Sequence, residues 1–165
     1  MKIIITSPQN KEDRAVEEVL SLIFQKDENA KILIKAIKPG LSLIESNVTK
    51  EDLASILKNV NKTYFIKVIP IDIETKDYKE AIKNWISENI QNLRNKSFAV
   101  RCTSRFGISG TFIEKEVGAI LNSYGIKINL KNPDYIIIIQ PIYDRFFISF
   151  LNSKLYLIFL SRRKI

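Results

Sequence analysis

Nine side chains between positions 101 and 132 can hold a phosphate chain and the rings attached to it: Arg101, Ser104, Arg105, Phe106, Ser109, Thr111, Lys115, Lys131 and Asn132. Guanidinium meets phosphate through planar, bidentate, charge-assisted bonds, so Arg101 and Arg105 carry most of this chemistry. They flank a loop of small polar residues, SRFGISG. The competing reading of Arg101 is a salt bridge within its own domain. Ser109, Gly110 and Thr111 precede a helix, whose open N–H groups and positive dipole end can hold a phosphate. Simple capping competes here, because Thr111 with Glu114 spells a capping box. Phe106 offers a ring for a base to stack on, or a hydrophobic staple. Lys115 lies in the first turn of that helix, off its apolar face, within reach of the same phosphate. Lys131 and Asn132 open the segment LKNPD, in which Pro133 and Asp134 shape a turn and Lys131 can serve an anion.

Three elements must position these groups. Ser97–Thr103 alternates Phe98, Val100 and Cys102 with Ala99, Arg101 and Thr103, a period of two that puts Arg101 opposite the apolar face of a strand. Ile113, Val117, Ile120, Leu121 and Tyr124 then fall on one face of a helix. After LKNPD comes a very apolar strand, Tyr135–Ile139. Gly118, inside the helix, predicts close packing there.

The segments FAVRCTSR, IEKEVGAI and LKNPDYIIII, in this order and spacing, resemble a THUMP domain, an RNA-binding module of tRNA-modifying enzymes. With the flanking helix and final strands the likeness runs from about Ile73 to the C-terminus. Arg101 and Arg105 match basic positions of that family's first strand and loop.

Charge placement agrees with an anionic partner. The 165-residue chain has a formal charge of +8, and residues 1–90 hold 14 basic and 14 acidic side chains against 12 and 4 in residues 91–165. Six of the seven arginines (Arg94, Arg101, Arg105, Arg145, Arg162 and Arg163) lie in the second part. Such a basic half suits a polyanion. Arg162, Arg163 and Lys164 read equally as a solvated tail.

Several chemistries are missing. Zero histidines remove Ser-His and Cys-His nucleophile pairs, and with a single cysteine they make structural zinc very unfavourable. The five glycines form neither a P-loop nor a dinucleotide fingerprint. Cys102 reads as a small buried apolar residue, consistent with a reducing cytoplasm. No stretch has the length of a membrane span or signal peptide. The expectation is a protein that is not an enzyme and has no cofactor or metal.

The first half reads as β-α-β-β-α-β, the ferredoxin-like order. Strands are expected at Lys2–Ser7, Ile32–Ile37, Leu41–Glu45 and Tyr64–Ile69, the last stopped by Pro70. Asn10 is expected to cap a helix carrying Val16, Val19, Leu20 and Ile23, and Thr49 one carrying Leu53, Ile56, Leu57 and Val60. A polar link, Asp72–Asp77, leads to a helix reaching Leu93 with Ile82, Trp85 and Ile86 buried. Arg145–Leu151 and Lys154–Leu160 read as closing strands. The fold class is thus α/β (α+β), a ferredoxin-like domain at 1–72 followed by a THUMP domain at 73–165.

PGLSLIES, TKEDLASIL and YFIKVIPID are similar to the N-terminal part of THUMP proteins that assist tRNA cytidine acetylation. The resemblance implies a non-catalytic protein that holds the single-stranded acceptor end of tRNA. It would present that tRNA to a separate enzyme, a tRNA cytidine acetyltransferase that makes acetylcytidine. No room is expected after the THUMP segment for a fused catalytic domain. Two alternatives stay open: a detached subunit of a tRNA thiolation or methylation enzyme, and a protein–protein scaffold with a basic face.

Overall fold

A computed structural model describes residues 1–60 and 64–160. It contains two compact units, one of Met1–Ile71 joined by the last helix and one of Asp72–Ser153. The basic tail Arg162, Arg163 and Lys164 lies outside the described residues.

In the first unit β1 (Lys2–Thr6), α1 (Glu12–Ile23), β2 (Lys31–Lys38), β3 (Leu41–Glu45), α2 (Lys50–Leu57) and β4 (Lys67–Pro70) follow the expected order. The sheet runs β2-β3-β1-β4 with every neighbour antiparallel. Central β1 is apolar in succession at Ile3, Ile4 and Ile5, all essentially unexposed, and edge strand β2 is exposed along most of its length. Thr49 caps α2 as expected, its Oγ1 accepting from Asp52 N at 3.1 Å. Asn10 does not cap α1: Lys11 occupies that position with no side-chain bond, and Asn10 takes a left-handed φ of 69°. β4 starts later than expected and includes Pro70, which pairs with Ile3 at the strand's end, where a missing N–H is tolerated.

The second unit holds β5 (Ile73–Thr75), α3 (Tyr78–Leu93), β6 (Ser97–Cys102), α4 (Gly110–Ser123), β7 (Lys127–Ile128), β8 (Tyr135–Ile142) and β9 (Arg145–Asn152). Its sheet order is β5-β9-β8-β6-β7, with β6 parallel to both β7 and β8 and the remaining pairs antiparallel. The expected polar link contains β5, an edge strand against β9. β5 is three residues long and only partly buried, without the apolar run of a covered strand, which is why it reads as a linker. β8 is buried from Ile136 to Ile142, as the uninterrupted apolar run of a covered strand requires.

One core joins α3 and α4 to the sheet through Ile82, Ile86, Phe98, Val117, Leu121 and Ile137. Each such side chain stabilises the fold by about 1.5–3 kcal/mol relative to exposure. Trp85 belongs here too, stacked 3.8 Å from Phe150 and edge-on to Phe98. Tyr124 does not join the core and is 39% exposed. Glu116 of α4 accepts from Tyr78 Oη and pairs with Lys79, tying the two helices.

The largest departure is at the C-terminal end. Ser153–Leu160 is a helix, α5, not a strand, and it groups with the first unit. A short apolar run such as LYLIFL suits either state by periodicity, and the Asn152-Ser153 turn signal proves to be a helix start. No helix among the described residues is long and apolar enough to cross a membrane.

Candidate nucleic-acid interface

The loop between β6 and α4 is built by local bonds. Ile108 N donates to Arg105 O at 2.9 Å, and the central residues Phe106 and Gly107 both have positive φ, 51° and 77°. Glycine takes such a turn freely; a bulky residue pays about 1–3 kcal/mol of strain unless its surroundings hold it. The Phe106 ring lies 4.7 Å from that of Tyr143, a 61%-exposed residue in the two-residue turn between β8 and β9 with φ 54°. Two strained aromatic residues from separate turns therefore meet at one end of the sheet. With Ser109 as the cap of α4, the staple position before it falls on Ile108, not on Phe106.

Ser104 and Ser109 spend their hydroxyls on α4. Ser104 Oγ accepts from Gly110 N at 2.9 Å, and Ser109 is the N-cap, accepting from Phe112 N at 3.3 Å. The expected Thr111–Glu114 box is displaced by this cap, because the helix begins one residue before Thr111. Thr111 is exposed, and its place in the first turn of α4 leaves its N–H without an intrahelical acceptor.

The two arginines diverge. Exposed Arg101 reaches toward the β7 side, donating from Nη2 to Leu130 O at 3.2 Å and from Nη1 to Val100 O at 3.5 Å. It has no carboxylate partner among the described residues, so the salt-bridge reading does not hold. Arg105 turns to the β8 side, half-buried, and donates to Gln140 Oε1. Gln140 is 4% exposed and in turn donates to Thr103 Oγ1 at 3.1 Å. Burial lowers the Arg105 pKa, yet a guanidinium stays charged at neutral pH. A partly desolvated cation held by a neutral amide keeps its attraction for an anion.

Lys115 and Lys131 are exposed, as is Asn132. The main-chain N–H groups of Lys131 and Asn132 both donate to Asn129 Oδ1 at 3.1 Å, which fixes the turn and leaves their side chains outward. Asp134 is structural: its carboxylate accepts from Ser97 N at 2.8 Å and from Ser97 Oγ at 3.1 Å, and these bonds hold its pKa below the ordinary aspartate value. Arg145 is paired with Glu74 at 3.4 Å. Burial pushes the Cys102 thiol up to about 12, which leaves almost no thiolate at neutral pH.

The expected residues thus form two groups around the start of α4. Arg101, Thr111 and Lys115 line one groove, with Lys131 and Asn132 in the turn after Leu130; Arg105 and Phe106 face Gln140 and Tyr143. Gln140 was missed in the sequence, where the signal for it was a polar residue within the buried run of β8. Nothing in the sequence singled out Tyr143.

Comparison with known proteins bears on the fold of this segment. Residues 74–151 match the THUMP domain. A tRNA sulfurtransferase of Desulfurococcus amylolyticus is 28% identical over 96 residues, which is 56% of this chain and 20% of that protein. Among solved structures, PH1313 from Pyrococcus horikoshii Ot3 has a TM-score of 0.62 at 19% identity, over 91% of this chain and 53% of that one. TrmN from Thermus thermophilus gives 0.59 at 16%, over 91% and 45%. A 4-thiouridine synthetase in complex with RNA and ATP gives 0.52 at 18%, over 92% and 42%. This chain spans 20% of the curated relative and at most 53% of these solved chains, and the structural likenesses are likenesses of fold. Strand, basic loop, helix and apolar strand, with the family match over the same residues, make 74–151 of this chain a THUMP domain.

Proposed function

We propose that this chain binds tRNA through its second unit, at the single-stranded acceptor end, and presents it to a separate modification enzyme without performing the chemistry itself. The observation that carries the reading is the pair Arg101 and Arg105, two cations at the loop entering α4 that have no carboxylate partner among the described residues. The +8 charge of residues 91–165 supports it, as does a curated relative named as a tRNA sulfurtransferase. For the enzyme served, the first reading is a tRNA cytidine acetyltransferase, on the likeness of PGLSLIES, TKEDLASIL and YFIKVIPID to acetylation adaptors. A second reading, tRNA thiolation, is favoured by the sulfurtransferase match.

The direct test is fluorescence anisotropy with intact tRNA and with tRNA lacking its single-stranded acceptor end. Loss of that end should weaken binding more than shortening the anticodon arm. Equal binding of both forms, or none of either, overturns the reading. Co-purification with identification of the bound enzyme separates acetylation from thiolation. Acyl, sulfur or methyl transfer to tRNA by the homogeneous protein alone would overturn the non-catalytic part.

A further inference from the structure

We propose that the groove between α4 and the β6–β7 edge receives one unpaired nucleotide of the bound RNA strand, with its ring against the apolar floor around Gly118 and its phosphate against Arg101 and Lys115. This inference rests on the reading of the chain as RNA-binding, and deepens it to a subsite.

The groove has a volume of about 480 Å³, within the roughly 300–1,000 Å³ typical of small-ligand sites. Its floor is apolar: Gly118 and Ala119 of α4, Ile128 of β7 and Leu130 beyond it. Leu130 is 63% exposed, which leaves its apolar surface open to a ligand ring. Arg101 stands at one wall, held across the groove's end by its bond to Leu130 O, and Lys115 stands on the helix wall. Glu114 shares that helix wall. Its charge opposes a second phosphate there, and its oxygens can accept from a sugar hydroxyl or a base amino group. One phosphate at the cationic end and one ring on the floor satisfy this distribution of charge. A continuous duplex backbone does not.

Gly118 gives the strongest argument. It lies mid-way along α4, where glycine costs about 1 kcal/mol relative to alanine. The expected compensation, close packing of the helix, is absent: a Cβ on Gly118 would meet nothing within 4 Å. A helix former is therefore missing where nothing in the fold forbids one, and what the missing side chain leaves open is the floor of the groove. A residue that breaks a local rule without a packing return belongs to a functional surface.

The experiment fills the groove without touching charge. Gly118→Leu and Gly118→Ala are compared with wild type by thermal melting and by anisotropy with intact tRNA across a salt series. Both variants should melt at or above the wild-type temperature. Gly118→Leu should bind about 5- to 150-fold more weakly, the overpacking cost of side-chain atoms forced into a filled contact, converted to affinity. Its slope of log K against log salt should stay that of wild type, because no phosphate contact is removed. Arg101→Ala should instead reduce that slope by about 0.7. If Gly118→Leu melts lower, Ala119→Leu on the same floor supplies the filling variant. Wild-type affinity in the folded filled variant overturns the subsite while leaving tRNA binding intact, and failure of wild type itself to bind tRNA overturns the parent reading. A free mononucleotide binding as tightly as tRNA, or a filled variant that loses a protein partner but keeps tRNA, likewise overturns the assignment.

Discussion

Gly110→Ala should be the most damaging single-methyl change in the THUMP domain. Gly110 is the first residue of α4, and a Cβ there would stand 2.2 Å from Cys102 O and 3.0 Å from Ser104 Oγ. An ordinary carbon–oxygen contact settles near ~3.3 Å, so the shortfall is about 1 Å against a main-chain atom. That carbonyl cannot move alone, because the next residue, Thr103, donates its N–H to Ile139 O at 3.2 Å and holds the strand end to β8. Relief requires α4 to swing away and lose the Gly110 N to Ser104 Oγ bond. Overpacking costs about 1–3 kcal/mol and the lost hydrogen bond about 1 more, offset by a fraction of the alanine helix preference. The net is about 2–3 kcal/mol. For a unit of this size each kcal/mol lowers the melting midpoint by about 4–8 °C. Urea and thermal denaturation followed by circular dichroism measure it directly. Gly118→Ala, eight residues along the same helix, is the control and should gain up to about 1 kcal/mol. A Gly110→Ala midpoint equal to wild type would refute the steric argument.

The remaining predictions concern charge. Arg101→Ala should leave stability within about 0.5 kcal/mol, since its side chain is exposed and bonds only to carbonyls, yet weaken tRNA binding by about 1–3 kcal/mol. Arg105→Ala should lose both, because buried Gln140 Oε1 is left without its donor at about 1–3 kcal/mol, measurable as a lower midpoint together with weaker anisotropy binding. Lys50→Ala and Lys58→Ala in the first unit should change tRNA affinity far less. Asp134 has a folded pKa below its usual 3.8, so its contribution is complete above that value and disappears as pH falls through the lower one; Asp134→Asn should remove part of the acid-induced loss of stability below about pH 4, seen in acid titration by circular dichroism. Cys102, with its thiol near 12, should alkylate with iodoacetamide at pH 8 far more slowly than a free cysteine, and only unfolding should release it.

Much of this fold was written locally. Thr49 and Asp52 declare the start of α2, the Val16-Val19-Leu20-Ile23 stripe fixes α1, and the β-branched run in YIIII favours a strand covered on both faces. What was not legible depends on partners distant in sequence. β5 looks like a linker until β9 is beside it, and α5 looks like a strand because six apolar residues in a row carry no period. At the site, residue types were readable but their directions were not. Arg101 and Arg105 flank one loop in the sequence, yet Leu130 and Gln140, on opposite sides of β6, pull them apart. Ser109 displaced Thr111 as cap because the Ser104 hydroxyl draws Gly110 into the first turn, a bond six residues long that no capping rule anticipates.

The first unit takes its last helix from the stretch of chain that follows the second unit in sequence. The chain leaves it at Ile71, is fastened into the second unit by Asp72 N to Ile148 O at 2.9 Å, and stays there until Ser153 N bonds to Asp134 O at 3.1 Å. The ribosome therefore makes the THUMP domain as an insertion within a unit still awaiting its final piece. Domains fold as they emerge, and the usual order is N-terminal first. Here the order is reversed at the finish: the second unit can complete its sheet once β9 is synthesised, and the N-terminal unit closes only when Phe159 and Leu160 arrive.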